Sequence, residues 1–173
     1  WYAGANFNKL NGYLPVHIGI GELDDERFNK IQKVEYAPTC CLLIQKKVFE
    51  DIGFMDEKYF VYFDDTDFCY RVFQHSKYSM YYVPDIKFYH KTGGLTKSFV
   101  NSEHKKYRGN FFLEQMTKNH VYFLKKIGTL YAFIYIFWLF FRNNIRFFIS
   151  PIIKKDFATF LLINRSYIKG LLL

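Results

Sequence analysis

An α/β fold with a helical C-terminal region is the architecture that the sequence predicts. Residues 34–44 are rich in β-forming residues and nearly continuously apolar after Pro38, a pattern consistent with a strand buried on both faces. Segments with helical spacing of apolar residues follow this run and dominate the last third of the chain. At 173 residues, half of them hydrophobic, the chain can bury one core and carry an appendage.

The N-terminal part is predicted to be mostly loop around that strand. Residues 1–4 resemble the end of a strand, and a loop is expected through Asn11-Gly12. Residues 17–28 are rich in glycine and acids and have no period, which also indicates a loop. Residues 46–52 place Val48 on an apolar face and are predicted to form a short helix that ends at Gly53.

Three carboxylates follow the aromatic run 59–63 directly: Asp64, Asp65 and Asp67. A helix of about three turns is predicted to start near Asp65, because apolar residues recur on one helical face. These residues are Phe68, Cys69, Val72 and Phe73. Acids are favoured at a helix N-terminus, but three beside so much apolar surface exceed what a cap requires. Clustered carboxylates occur both at active sites and in structural networks, so both interpretations stay open.

Two short strands are predicted after this helix, over 79–83 and 86–89, with a turn at Pro84-Asp85 between them. They carry His90 back toward the acids. A lone histidine is most often a structural or solvent-facing side chain, so its spacing by itself assigns no function.

Residues 105–126 have the spacing of an amphipathic helix, and residues 127–141 contain no charge. This apolar run is interrupted at 142–146 and is short for a membrane crossing, which needs about 20 apolar residues. Three alternatives stay open: a helix lying in the membrane plane, a true span, and a buried core helix.

Charge is distributed unevenly along the chain. Residues 1–104 carry 12 Lys+Arg and 14 Asp+Glu, a net −2, whereas residues 105–173 carry 12 and 2, a net +10. Long apolar runs between the basic residues favour an anionic lipid surface over nucleic acid as the partner. The three cysteines lack metal-ligand spacing and lie in apolar runs, so buried free thiols are expected.

An ordered set of motifs resembles the second half of a family 2 glycosyltransferase of the rhamnosyltransferase-like kind. The resemblance covers residues 1–125 and is carried by WYAG at 1–4, His17-x-Gly19-x-Gly21-Glu22-x-Asp24, CLLI at 41–44, Gly53, MDE at 55–57, the aromatics, DDTD at 64–67, Cys69, Arg71, YVP at 82–84 and His90. It implies the acceptor-side half of a GT-A fold, with the nucleotide-binding half lying before residue 1. Residues 1–104 would belong to the catalytic domain, 105–126 to a helix packed on it, and 127–173 to a basic, aromatic, membrane-associating tail.

The implied activity is transfer of a sugar, with rhamnose among the candidates, from a nucleotide-sugar donor to an acceptor hydroxyl on a lipid-linked or cell-surface glycan. The stereochemistry is expected to be inverting. The resemblance makes Asp65 the catalytic base, while Asp64, Asp67 and Arg71 tune its charge or hold the acceptor. The protein is expected on the cytoplasmic face of the cell membrane, as a peripheral, monotopic or single-span protein.

Further roles follow from the resemblance. Glu22 and Asp24 are candidate acceptor contacts, with an ordinary solvated acidic loop as the alternative. His90 is the implied ligand of a divalent ion, Mn²⁺ or Mg²⁺, that holds the donor diphosphate. Lys91 and Lys97 belong to a segment predicted either to close over that diphosphate or to be a plain linker.

Two other classes of protein fit the same residues. One is a non-catalytic, membrane-associated module that keeps the fold and binds a sugar or a metal. The other is a metal-dependent hydrolase built on the acid cluster, which would cleave a nucleotide sugar with no acceptor. The sequence also departs from the family pattern at Asp64, where Glu is usual, and at Ser76, where the helix normally ends on Gly.

Overall fold

A computed structural model describes residues 2–90, 102–149 and 157–173 and shows a mixed α/β protein. The chain divides into two compact units, Trp1–Glu57 with Asp64–Thr92, and Lys58–Phe63 with Gly93–Leu173. The first unit contains β1 (Ala5–Asn8), β2 (Leu14–His17), β3 (Gln32–Val34), α1 (Lys46–Ile52), α2 (Asp64–Gln74) and β4 (Met80–Tyr82). The second contains α3 (Ser102–Ile127), α4 (Leu130–Ile149) and α5 (Phe157–Leu172).

A hairpin occupies the N-terminal region that was predicted to be mainly loop. Strands β1 and β2 pair antiparallel, in a register that runs from Ala5 opposite His17 to Asn8 opposite Leu14. The Asn8 side chain accepts a hydrogen bond from the Leu10 amide, and Gly12 closes the turn in the left-handed conformation at φ 65°. The prediction of a strand end at residues 1–4 is therefore wrong by a few residues, and the return strand was missed.

The long strand predicted over residues 34–44 is also wrong. Of this range, Val34 belongs to β3, which pairs antiparallel to β4, and Tyr36 makes an isolated bridge with Ala5. Pro38 has no N–H to donate to a ladder, and a 3₁₀ turn (Thr39–Cys41) follows it. Leu43 is 99% exposed in consequence.

The three cysteines differ in their exposure to solvent. All three are free, but Cys40 and Cys41 of that turn are exposed, and Cys69 alone of the three is buried. The expectation of buried thiols holds only for Cys69. Burial raises its pKa to about 12, which keeps the thiol protonated.

Helices α1 and α2 match the prediction closely. Helix α1 ends at Gly53, and the buried side chains Val48, Phe68 and Val72 form the core between the two helices. A second cluster joins Ala5, Tyr36 and Cys69, so the hairpin packs against α2 as well. Ser76 follows α2 with φ 56°, a left-handed conformation in which Gly is usual.

The strand predicted at 86–89 is not formed. Pro84 and Asp85 make the expected turn, but the residues that follow are irregular and include Ile86, which is 72% exposed. No strand in the described part of this unit pairs with them.

In the second unit, α3 packs closely along α5. Gly170 permits this approach, because a Cβ atom there would lie 2.4 Å from the Lys118 carbonyl oxygen. Helix α3 covers the predicted amphipathic segment. Helix α4 continues through residues 142–146, where the apolar run is interrupted, and Asn144 donates to the Phe140 carbonyl within the helix and to Asn164 Oδ1 of α5.

Helix α4 is apolar on two faces. One face is buried within the unit and includes Ala132, Ile136 and Leu139. The other, called the apolar strip below, has side chains that are 43–77% exposed: Leu130, Phe133, Ile134, Phe137, Trp138, Phe141, Ile145 and Phe148. Within the described residues, none of the helices combines the length and apolarity that a membrane crossing needs.

The short segment Lys58–Phe63 of this unit has a strained backbone. Phe60, Tyr62 and Phe63 all have φ between 62° and 70°, which L side chains rarely adopt. The buried Asn119 amide donates to the carbonyls of Tyr59, Val61 and Tyr62. These bonds from α3 offset part of the cost of the left-handed residues.

Candidate functional site

Asp64, Asp65 and Asp67 lie in the first turn of α2, where the macrodipole favours negative charge. Each of the three carboxylates has a different environment. Like charges this close repel one another, and burial or a hydrogen-bond partner at each carboxylate determines how that repulsion is relieved.

Asp67 is directed inward. Its side chain is 3% exposed, and its Oδ2 atom lies 2.9 Å from Nε of Arg71 one turn along the helix. The Arg71 guanidinium also donates to the Ile52 and Phe54 carbonyls, each at 2.7 Å, on both sides of Gly53. This geometry makes the pair a link between α2 and the end of α1, which leaves Arg71 little freedom to contact a ligand.

Asp65 is partly buried and receives a hydrogen bond on a defined oxygen. The Tyr36 hydroxyl donates to Oδ2 at 2.9 Å, and the Thr66 hydroxyl donates to Oδ1 at 3.3 Å. Burial raises the pKa of Tyr36, and the Asp65 charge raises it further, so the phenol stays protonated and donates. The carboxylate is thus oriented by one donor on each oxygen, and Oδ1 has a second lone pair that can accept from a further partner.

Asp64 is also partly buried, but its environment differs again. Burial raises the pKa of Asp64, and the neighbouring charge of Asp65 adds to the effect. The environment of Asp64 therefore disfavours its charged form.

Tyr36, Tyr2 and His17 surround Asp65 and were not assigned from the sequence. The Tyr2 hydroxyl donates to the Tyr36 carbonyl at 3.2 Å, and the His17 ring packs against both tyrosine rings at 5.2 and 5.9 Å. Burial lowers the pKa of His17, although the Asp65 charge acts in the opposite direction, and Nδ1 is buried with no hydrogen-bond partner in the described residues. A neutral imidazole with an unused nitrogen is therefore present beside the candidate base.

Glu22 and Asp24 both have cationic partners. Arg27 lies 2.6 Å from Glu22, and Lys87 pairs with Asp24. The Asp24 pair joins the glycine-rich loop after β2 to the irregular segment three residues before His90. These contacts satisfy the acids locally, and an acceptor role for them remains a prediction.

His90 is exposed and contacts Phe88, with ring centroids 6.3 Å apart. In the described ranges no three His, Cys, Asp or Glu side chains lie together as a metal site would require. The described residues therefore do not supply a metal centre by themselves, and no chemical step is derived through one. Lys91 and Lys97 lie outside the described residues.

Comparison with known proteins points to one class, the glycosyltransferases. No protein-family model matches the chain, and no solved structure does. Two curated proteins are similar to parts of it, and both carry transferase names.

The first is the low-salt glycan biosynthesis hexosyltransferase Agl10 of Haloferax volcanii, 37% identical over 43 residues, which are 25% of this chain and 14% of that protein. The second is the dTDP-rhamnosyl transferase RfbF of Shigella flexneri, 32% identical over 94 residues, which are 49% of this chain and 31% of that protein. The chain thus spans less than a third of either relative. These similarities agree with part of a glycosyltransferase and do not fix the sugar, the donor or the acceptor.

Proposed function

We propose that this chain is the acceptor-side part of a glycosyltransferase of GT-A fold and that Asp65 is its catalytic base. The observation that carries the proposal is the hydrogen bond from Tyr36 to Asp65 Oδ2. It singles out one carboxylate of three as oriented and partly accessible, while Asp67 is held by Arg71. A general base must be fixed within reach of the proton that it removes.

In the proposed reaction, Asp65 Oδ1 accepts the proton of an acceptor hydroxyl. The acceptor oxygen forms a bond to the anomeric carbon of the donor sugar, and the bond from that carbon to the diphosphate breaks with its electron pair leaving on the nucleoside diphosphate. A single displacement of this kind inverts the anomeric centre. The names of the two relatives support a hexose donor, with dTDP-rhamnose as one candidate.

We further propose that His90 is one ligand of a divalent ion, Mn²⁺ or Mg²⁺, whose other ligands lie beyond the described residues. Imidazole is a better ligand for Mn²⁺ than for Mg²⁺, which prefers oxygen. Lys91 and Lys97 are proposed to contact the donor diphosphate.

The acceptor is proposed to be a lipid-linked or cell-surface glycan, reached from the cytoplasmic face of the cell membrane. Two features support this location. The apolar strip of α4 is exposed, and residues 105–173 carry a net charge of +10 from 12 Lys+Arg and 2 Asp+Glu. Both suit an anionic membrane surface.

The test is nucleoside diphosphate release by the intact protein in membranes, with a panel of sugar nucleotides and either ion. Asp65→Asn should lower acceptor-dependent release by about 10²- to 10⁴-fold, the usual contribution of a general base. Tyr36→Phe keeps the ring and removes only the hydroxyl, so it should lower release by a smaller factor, on the order of tenfold. Asp85→Asn, which changes an exposed aspartate of the same unit, is the matched control and should leave release unchanged.

Three outcomes would count against the proposal. Release that survives Asp65→Asn removes Asp65 from the role of base. Donor cleavage that never needs an acceptor favours a hydrolase. Absence of release with every donor, in membranes that contain the native acceptor, favours a sugar- or metal-binding module.

A further inference from the structure

A pocket of about 150 Å³ lies within the second unit, between α3, α4 and α5. Its walls carry five side chains with polar atoms, Thr117, His120, Arg142, Asn143 and Tyr167, together with apolar residues that include Val121 and Leu139. Among the described residues, no acidic side chain lines it. The pocket therefore offers hydrogen-bond donors and positive charge, which is the chemistry of an anion site.

Arg142 is held at the mouth of this pocket. Its guanidinium stacks on the Trp138 ring, 4.6 Å from the ring centre, and donates to Asn143 Oδ1 at 3.3 Å. It has no carboxylate partner within the part of the chain that the structure describes. A planar guanidinium that is oriented by an aromatic ring and lacks an internal ion pair matches the oxygens of a phosphate group.

The apolar strip reaches the same place, because Trp138 belongs to the strip and also contacts Arg142. From Leu130 to Phe148 the strip extends over about 27 Å of helix. It continues toward α5, where Phe148 packs on Phe160 with ring centroids 5.8 Å apart. An exposed apolar surface of this length beside a pocket that carries a guanidinium favours a lipid phosphate over a free phosphate as the ligand.

We propose that the pocket binds the phosphate of a lipid headgroup while the apolar strip lies at the boundary of headgroups and acyl chains. The partner is a phosphate-bearing lipid in an anionic bilayer, and the net +10 of residues 105–173 is complementary to it. This proposal rests on the proposed function in one respect: a lipid site can deliver an acceptor only if the protein transfers a sugar. Helix α4 then lies along the membrane plane and the phosphate group sits at Arg142.

The test is co-sedimentation of the full chain with three kinds of vesicle: phosphatidylcholine alone, phosphatidylcholine with phosphatidic acid, and phosphatidylcholine with oleate at the same surface charge. The chain should bind phosphatidic acid vesicles most tightly, since oleate supplies charge without a phosphate monoester. Arg142→Gln should reduce binding to phosphatidic acid vesicles by about tenfold or more and abolish the preference over oleate. Arg165→Gln removes the same charge from an exposed site outside the pocket. It should weaken binding to the two kinds of anionic vesicle slightly and equally.

A second pair of variants tests the strip. Ile134→Gln should lower binding to all three vesicles, whereas Ile86→Gln, at an exposed isoleucine of the other unit, should have no effect. Titration with inorganic phosphate distinguishes the two sources of the anion. Tight binding of inorganic phosphate with no vesicle binding would overturn the lipid assignment.

Equal losses of vesicle binding in Arg142→Gln and Arg165→Gln would overturn the assignment of the pocket as the phosphate site. Absence of vesicle binding by the wild type would overturn the whole inference. The outcome is separable from sugar transfer, because Asp65→Asn should bind vesicles as the wild type does. Vesicle binding without transfer would leave the lipid site standing and remove the proposed reaction.

Discussion

The buried pair between Asp67 and Arg71 provides the sharpest prediction about what holds the candidate site together. In Arg71→Leu, the Asp67 carboxylate, 3% exposed, loses its ion pair, and the carbonyls of Ile52 and Phe54 lose a charged donor. Removing one member of a buried pair costs about 3–5 kcal/mol. Arg71 is 27% exposed, so water replaces part of its role, and we expect the lower end, about 3 kcal/mol.

Leucine and arginine have similar helix propensities, so the substitution isolates the lost contacts. The measurement is hydrogen exchange at the amides of α2, which reports the opening free energy of this unit separately from that of the second unit. Lys46→Leu is the matched control, because Lys46 makes an ion pair of the same i,i+4 spacing with Glu50 but is 90% exposed. It should cost no more than about 0.5 kcal/mol.

Arg71→Lys separates charge from geometry. Lysine keeps the positive charge but cannot donate from one planar group to Asp67 and to two carbonyls. We expect an intermediate loss, smaller than that of Arg71→Leu. A loss below about 1 kcal/mol in Arg71→Leu, or one equal to that of Lys46→Leu, would refute the assignment of this pair as the link between α1 and α2.

Two further predictions concern pH and helix packing. Burial and the Asp65 charge raise the pKa of Asp64, so its contribution to stability is present below the ordinary aspartate value of 3.8 and is lost as the pH rises through the raised value. Asp64→Asn should therefore be more stable than the wild type toward urea at neutral pH, with the difference vanishing in acid, and a less stable variant at neutral pH would contradict this. Gly170→Ala places a methyl group 2.4 Å from the Lys118 carbonyl oxygen and should lower the stability of the second unit by about 1–3 kcal/mol in thermal melts. Gly109→Ala meets open space in the same helical unit and should raise it by up to about 1 kcal/mol, so equal effects would refute the packing argument.

The helices of the first unit could be predicted because their signals are local. The apolar spacing of residues 46–52 and the following Gly53 define α1, and the acids with the apolar face behind them define α2. The strands could not be predicted in the same way, because pairing is a property of distant segments. Residues 34–44 are apolar, yet Pro38 and the turn after it divert the chain before a long strand forms.

The residues of the candidate site also differ in whether the signal that marks them is local in the sequence. The family resemblance, and not the acid cluster by itself, marks Asp65 in the sequence, and nothing local marks Tyr36 as its partner. The bridge between Ala5 and Tyr36 is what brings the phenol to a carboxylate 29 residues away. His17 did stand in the motif that carried the family resemblance, and that position was the one available signal for it.

The helical geometry of α2 explains how three carboxylates coexist in four residues. Successive side chains turn by about 100°, so Asp65 leaves the helix on a different side from Asp64 and from Asp67. Asp67 pairs with a guanidinium in the interior, Asp64 is partly buried beside the charge of Asp65, and Asp65 accepts from a phenol that stays protonated. The three carboxylates thus have three different environments within one helical turn. The acid cluster therefore does more than cap a helix: Asp67 links α2 to the end of α1 through Arg71, and Asp65 is a partly buried carboxylate oriented by the Tyr36 hydroxyl.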